Sequence, residues 1–241
     1  SVAADETGWR YALNGRIDEI EASRLLEIWP EAALVKPRIW VDENVMGGRL
    51  LDLDLAVRGS PGVADPDVYA DFEFENGTVR FSPNMPLLRD AAGQASFVDN
   101  RLVATATSGR VESAEGGDVN VVGTSFIAPD VRVKPGTPAI VRIVAHATPT
   151  AVLSLLDRPP LSLMSKANLP VALAQGEIDV TGTLALPMQE TVLVTDMDFH
   201  ASGTIRDASS TVLVPDHELV SDELSLFVDN DHVEISGAGE M

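Results

Sequence analysis

The 241-residue chain contains no cysteine. That absence excludes disulfide staples, thiolate metal sites and a cysteine nucleophile. Aromatic residues make up only 5%, so the stacking platforms used by single-stranded nucleic-acid binders are scarce. Basic residues are also outnumbered, with 17 Lys and Arg against 37 Asp and Glu and a formal net charge of -20. Such a surface repels a polyanion and shows no basic patch, which argues against nucleic acid as a partner. Charge alone would not hold the chain on an anionic membrane. No apolar run approaches the roughly 18 residues of a membrane span, and no signal peptide is visible. The opening Ser-Val and the closing Gly-Glu-Met, at what reads as a strand end, suggest a segment of a longer protein.

Catalytic signatures are missing too. The four histidines, His146, His200, His217 and His232, lack a second His at metal-ligand spacing, and there is no HExxH. There is no Gly-x-Ser-x-Gly elbow, no P-loop and no GxGxxG fingerprint. The sequence therefore nominates no catalytic residue, no metal ligand set and no cofactor. Carboxylates are numerous, and two of them can run glycoside hydrolysis. Yet Asp52/Asp54, Glu73/Glu75 and Asp196/Asp198 alternate with apolar residues, as on the wet face of a sheet. Glu112, Glu115 and Asp118 flank Gly116-Gly117, and Asp229 and Asp231 share a turn. Each group is either an ordinary acidic turn or a calcium loop, and neither has the spacing of a known calcium loop.

What remains is strand-forming material. Hydrophobic residues reach 45%, mostly Val, Leu, Ile and Ala. Leu51, Leu53, Leu55 and Val57 share one parity while Asp52, Asp54 and Arg58 take the other, the period-2 pattern of a half-buried strand. Val68, Ala70, Phe72 and Phe74 repeat it against Asp71, Glu73 and Glu75. Asn76-Gly77 then reads as a hairpin turn, with Thr78 to Phe81 returning. Further strands are expected at 9–17, 95–98, 102–107, 118–127, 139–146, 177–186, 196–205, 211–214, 223–228 and 233–236. Residues 22–45 suit one or two short helices broken at Pro30 and Pro37. Thr150 to Leu156 suits another, capped by Thr148 or Thr150. The expected fold is mainly β: a curved antiparallel sheet with two or three short helices, forming one elongated segment.

Two halves look related. Phe97-Val-Asp-Asn100 recurs as Phe227-Val-Asp-Asn230, and Leu26-x-x-x-Pro30 as Leu155-x-x-x-Pro159. Gly48 matches Gly176, and Gly77-Thr-Val-Arg80 matches Gly203-Thr-Ile-Arg206. The units would span about 15–128 and about 145–241, and repeats of this kind usually stack.

So many alternating strands carry more apolar face than two short helices can cover, so the sheet must curl, meet another sheet or hold something apolar. The run Leu25-Leu-Glu-Ile-Trp-Pro30, then Lys36-Pro-Arg-Ile-Trp40, Asn44 and Gly47-Gly-Arg-Leu50, resembles the YhdP-type domain of the AsmA-like superfamily. Pro86-Leu-Leu, Gly93-Gln-Ala, Ser108-Gly-Arg-Val111 and Leu155-Leu-Asp-Arg-Pro-Pro-Leu161 follow that pattern in the same order. The resemblance implies a segment of a periplasmic envelope protein anchored in the inner membrane. Its taco-like trough would shield phospholipid acyl chains on their way toward the outer membrane, without enzymatic chemistry. Its partners would be phospholipid or another acyl-chain lipid and neighbouring segments of the same polypeptide. The groove candidates are Leu53, Leu55, Val57, Phe72, Phe74 and Phe199. Trp29 and Trp40 either close a groove end or pack in the core. Two other readings stand beside this one: a closed β-sandwich or solenoid module for protein contacts, and a periplasmic carbohydrate-active enzyme.

Overall fold

A computed structural model describes residues 1–29, 31, 34–63, 66–132, 138–159, 161–189, 192–214 and 216–240. Its strands are β1 (Val2–Asp5), β2 (Gly8–Glu21), β3 (Val45–Gly59), β4 (Asp67–Val79), β5 (Leu88–Val98), β6 (Arg101–Glu112) and β7 (Asp118–Asn120). The rest are β8 (Ser125–Ala128), β9 (Ala139–Ala147), β10 (Gln175–Leu186), β11 (Asp198–Ser210), β12 (Leu219–Asp229) and β13 (Val233–Gly237). All thirteen belong to one antiparallel sheet, ordered as in the sequence except that β8 lies beside β7, pairing with β6 and β9. Helices α1 (Ala22–Ile28) and α2 (Val35–Asn44) join β2 to β3, while α3 (Pro149–Leu156) and α4 (Leu163–Ala167) join β9 to β10. The order strand, helix pair, strand, strand, strand thus occurs twice. The fold is mainly β as expected, with four short helices instead of two or three.

Several local expectations change. Asn76-Gly77 is not a turn. β4 runs through it, and the ladder shifts register between Phe74 and Gly77. Asn76 adopts φ 53°, a left-handed conformation that Asn tolerates, and the result is a β-bulge. Asp52 (φ 49°) does the same in β3. The strand parity therefore flips there. Leu50 rather than Leu51 joins Leu53 in the core, and Leu51 lies between Glu19 and Glu73 on the wet face. Pro37 does not break a helix; it sits in the first turn of α2, where its missing N–H costs nothing. Residues 211–214 form bends, not a strand. The expected helix-breaking Pro30 and the Pro160 of the second motif lie outside the described residues.

Thr148 caps α3, its Oγ1 accepting from the Ala151 N–H at 3.1 Å, with Pro149 at the first helical position. Gly48 and Gly176, matched in the sequence, both open the strand after a helix pair with positive φ (128° and 122°). A Cβ on Gly48 would lie 2.9 Å from Gly77 Cα, and one on Gly176 2.5 Å from the Arg206 carbonyl oxygen. Gly77 and Gly203 do not occupy matching places. Gly77 sits at the β4 bulge opposite Ala91, whereas Gly203 sits in regular ladder between Val180 and Leu226.

Two small cores hold the helices to the sheet. Ala22 and Leu25 of α1 pack with Ile17, Ile20, Leu50 and Leu53. Ala151, Val152 and Leu155 of α3 pack with Val119, Ala147, Ile178 and Ile205. Among the described residues Leu53 is the one large side chain fully buried. The solvent-accessible surface is 14518 Å², about 40% above the roughly 10,400 Å² expected of a compact protein of 25.7 kDa. The prediction that follows is differential: Leu53→Ala costs about 3 kcal/mol, whereas Val57→Ala, half-buried on the same strand, costs about 1 kcal/mol. Urea-unfolding midpoints of the two variants check it.

Candidate functional site: a continuous apolar face

Directly paired residues of neighbouring antiparallel strands point to the same side of a sheet. The register therefore decides which candidates meet. Phe72 pairs with Ala95, Ala95 with Ala104, Ala104 with Phe126, and Phe126 with Val141. Val141 pairs with Leu184, and Leu184 with Phe199. One unbroken transverse row thus links Phe72 to Phe199, two candidates 127 positions apart in the sequence. On the other side of Phe72, across the Asp52 bulge, lie Leu53 and its partner Ile17. A second row runs from Gly15 through Leu55, Ala70 and Phe97 to Leu102 and Ala128. Leu13, Val57 and Val68 form a third, and Ile20, Leu50, Phe74 and Gly93 a fourth.

All six groove candidates lie on this face, but they are not equivalent. Leu53 is 2% exposed beneath α1 and belongs to the core, so it lines no accessible surface. Leu55 and Phe72 border the same core. Val57, Phe74 and Phe199 are half-buried. Both helix pairs join strands at the same end of the sheet, and α1 and α3 pack on this apolar side there. At the opposite end, with Leu13, Val57, Val68, Leu184 and Phe199, the described residues hold no α-helix, only the 3-10 turn Val194–Asp196 between β10 and β11. Ala95, Ala104, Phe126, Val141 and Leu184 were not singled out from sequence. Their strand parity was visible, but the register that aligns them was not. Trp29 is half-buried next to α1, and Trp40 is 48% exposed on α2, which has no buried residue.

The other side of the sheet is mixed: one row there holds Val103, Ile127, Ile140 and Ala185, and the row beside it is polar. That polar row runs Glu19, Leu51, Glu73, Gln94, Thr105, Ser125, Arg142, Thr183, His200 and Asp229, with one apolar member in ten strands. Ion pairs bridge neighbouring strands there. Arg16 donates to Asp52 at 2.6 Å, and Arg49 pairs with Glu19 at 2.7 Å and with Glu75. Arg110 donates to Asp90 (2.7 Å) and Asp118 (2.6 Å) and reaches Glu112. The acidic groups considered for calcium therefore have protein partners. Asp118 and Glu112 engage Arg110, and Asp229 accepts from the N–H groups of Asp231 and His232, which holds its carboxyl below the usual range. Asp179 is lowered in the same sense by hydrogen bonds from His146 (2.7 Å) and Arg206 (2.6 Å). Among the described residues no cluster of three or more His, Asp or Glu is placed to hold a metal ion. Two surface concavities are lined by described residues without a carboxylate: one by Thr7, Arg10, Ser60, Pro61 and Gly62, the other by residues of 174–224 such as Ala208 and Leu224. No described helix is long and apolar enough to cross a membrane.

No family model, curated protein or solved structure matches this chain.

The Asp179 contacts set a pH dependence with a definite sign. A carboxyl whose folded pKa is depressed adds stability above its unfolded value, near 3.8, and loses it as pH falls through the folded value. Asp179→Asn is accordingly less stable than the parent at pH 7, and the gap closes as pH drops below about 4. Denaturation at pH 7 and pH 3 measures both points.

Proposed function

We propose that this chain is a non-enzymatic segment of a periplasmic bridge-type lipid-transport protein, shielding phospholipid acyl chains along its apolar face between the inner and outer membranes. The observation that carries this reading is the unbroken apolar row from Phe72 to Phe199, backed on the opposite side by an equally continuous polar one. An acyl chain gives up about 0.8 kcal/mol for every CH₂ it exposes to water. A strip of apolar side chains several strands wide removes that cost along its whole length, and no covalent step is needed. Headgroups would remain at the rim, in water.

The surface area supports the same reading. A domain that had closed its apolar face would approach the compact value; this one exceeds it by about 40%. A closed sandwich would need a second sheet against the apolar face, and all thirteen strands lie in one sheet. A carbohydrate-active enzyme would need two carboxylates across a cleft. Here Asp52, Glu75, Asp118 and Asp179 are instead engaged by arginines on the polar face. The resemblance of the Leu25–Leu50 and Leu155–Leu161 motifs to YhdP-type domains adds the envelope setting and the inner-membrane anchor.

Two measurements test the reading. Native mass spectrometry of gently purified protein is expected to show bound phospholipid, and a fluorescent phospholipid is taken up from detergent-free dispersion. Phe199→Glu, on the apolar face at the end away from α1 and α3, lowers that uptake at least tenfold, while Thr183→Glu, on the polar row, leaves it unchanged. Equal uptake by both variants, or lipid-free protein that takes up no probe, contradicts the proposal.

A further inference from the structure

The two helix-bearing halves of the sheet meet where β7 and β8 lie between β6 and β9. On the β6 side this stretch is bonded along its length. Arg110 to Glu112 pair with Asn120 to Asp118, and Leu102 to Thr105 with Ala128 to Ser125. Between those two ladders the Val121 N–H donates to the Gly109 carbonyl (3.1 Å). The Ala106 N–H donates to the Thr124 carbonyl (2.9 Å), and the Ala106 carbonyl accepts from the Gly123 N–H (2.8 Å). Beyond β8 the Val131 N–H donates to the Asn100 carbonyl (2.9 Å). β7 and β8 therefore belong to the first half.

The β9 side is different. β9 pairs with β10 at every position from Ala139, opposite Leu186, to Ala147, opposite Ile178. Toward the first half its pairs are Asn120–His146, then Ser125–Arg142, Phe126–Val141 and Ile127–Ile140, and among the described residues the ladder skips Ile143 to Ala145. A side chain fills that gap. Thr124 Oγ1 accepts from the Val144 N–H (2.9 Å) and donates to the Val144 carbonyl (2.8 Å). One hydroxyl thus stands in for a pair of backbone groups. Val122 and Val144 beside it are 44% and 39% exposed, so little packing reinforces the rung.

The two ends of this joint are held unequally. Near the helices, α3 lies across it: Ala151 shares one buried cluster with Val119 of β7 and with Ala147, Ile178 and Ile205 of the second half. Thr148 Oγ1 donates to the Gly116 carbonyl (2.8 Å), and the Glu115 N–H donates to Ser154 Oγ (3.3 Å). A Cβ on Gly116 would lie 2.5 Å from the Ala151 N, so loop and helix touch without a gap. Arg158 Nε donates to the Asn84 carbonyl (2.7 Å), a further tie between the halves at this end. At the other end β8 is four residues long and holds β9 only through residues 140–142.

We infer that this joint is a hinge: it pivots under α3 and parts between β8 and β9, and Thr124 is the stitch that keeps it shut. Local opening is drawn from the places where backbone bonds and buried contacts are fewest, and here both are fewest away from α3. β8 moves with β6, so the parting separates Phe126 from Val141. It thereby interrupts, in its middle, the apolar row that runs from Phe72 to Phe199. The hinge belongs to the sheet and does not depend on lipid: a protein that opens here but takes up no phospholipid refutes the function proposed above and leaves this inference intact.

Amide hydrogen exchange followed by NMR tests it, because β9 carries its own control. Val144 turns its backbone groups toward the joint, so by strand alternation Arg142 and His146 do the same, whereas Val141 and Ile143 face β10. In the parent protein the Arg142 N–H is expected to have a protection factor at least tenfold below those of Val141 and Ile143, its neighbours on the same strand. His146, at the pivot, matches those neighbours. Thr124→Val removes the hydroxyl at nearly constant shape and lowers protection at Arg142 at least tenfold further, with Val141 and Ile143 unchanged. Thr124→Ser keeps the hydroxyl and stays close to the parent. A disulfide between Phe126→Cys and Val141→Cys, directly opposite across the joint, raises protection at Arg142 to the level of its neighbours. A parent protein in which Arg142 is as protected as Val141 and Ile143, or a Thr124→Val protein in which all three fall together, overturns the inference.

Discussion

Cross-strand register is the constraint on which the rest of this molecule depends. Hydrogen bonds between neighbouring strands fix which residues stand side by side, and a slip of one position would turn a whole strand inside out. From β2 to β12 that register gathers Phe72, Ala95, Ala104, Phe126, Val141, Leu184 and Phe199 on one side, and it gives the other side its polar row from Glu19 to Asp229 beside a shorter apolar one through Val103, Ile127 and Ile140. The bulges at Asp52 and Asn76 are part of the arrangement. Without the extra residue at Asp52, Leu50 and Leu53 could not both face α1. The arginine ladders on the wet side span neighbouring strands, but such exposed pairs contribute little each. Their clearer effect is to make the flipped register unfavourable, because it would bury Arg16, Arg49 and Arg110.

An apolar face of this size has to meet something. α1 and α3 each cover one end of a few strands, and their contacts form the two small cores. Beyond them the face is only half-buried, with Phe74, Phe199, Val57 and Leu184 partly open. The chain has 45% hydrophobic residues, yet Leu53 is the one large side chain fully buried among the described residues, so the apolar material lies in a layer, not in a globule. The lipid reading proposed above rests on that distribution.

Much of this was legible in the sequence because alternation survives in most strands. β10 and β13 fall close to their expected limits, β4, β11 and β12 run several residues further, and the six groove candidates share a face. What was not legible is instructive. Asn76-Gly77 carries the strongest short hairpin signal there is, yet tertiary pairing with β5 holds β4 straight through it as a bulge. Leu51 looked equivalent to Leu53, but one left-handed residue between them places the two on opposite faces. The row from Phe72 to Phe199 could not be foreseen, because it requires the register of six successive pairings. Burial was equally hidden: nothing in the local pattern distinguishes Leu53, under a helix, from Val57, four residues further along the same strand.

The central claim is that this face, and not the opposite one, takes up acyl chains. The absence of cysteine allows a direct test, since single cysteines can be placed at will. Ala104→Cys and Ala201→Cys lie on the apolar face; Thr105→Cys and Ser202→Cys, one residue further along, lie on the polar face. The decisive measurement is the rate of thiol labelling at each position with and without phospholipid. The account predicts that lipid slows labelling at 104 and 201 at least tenfold and leaves 105 and 202 unchanged. Equal protection of both faces, or no protection at 104 and 201 while lipid is bound, would contradict it.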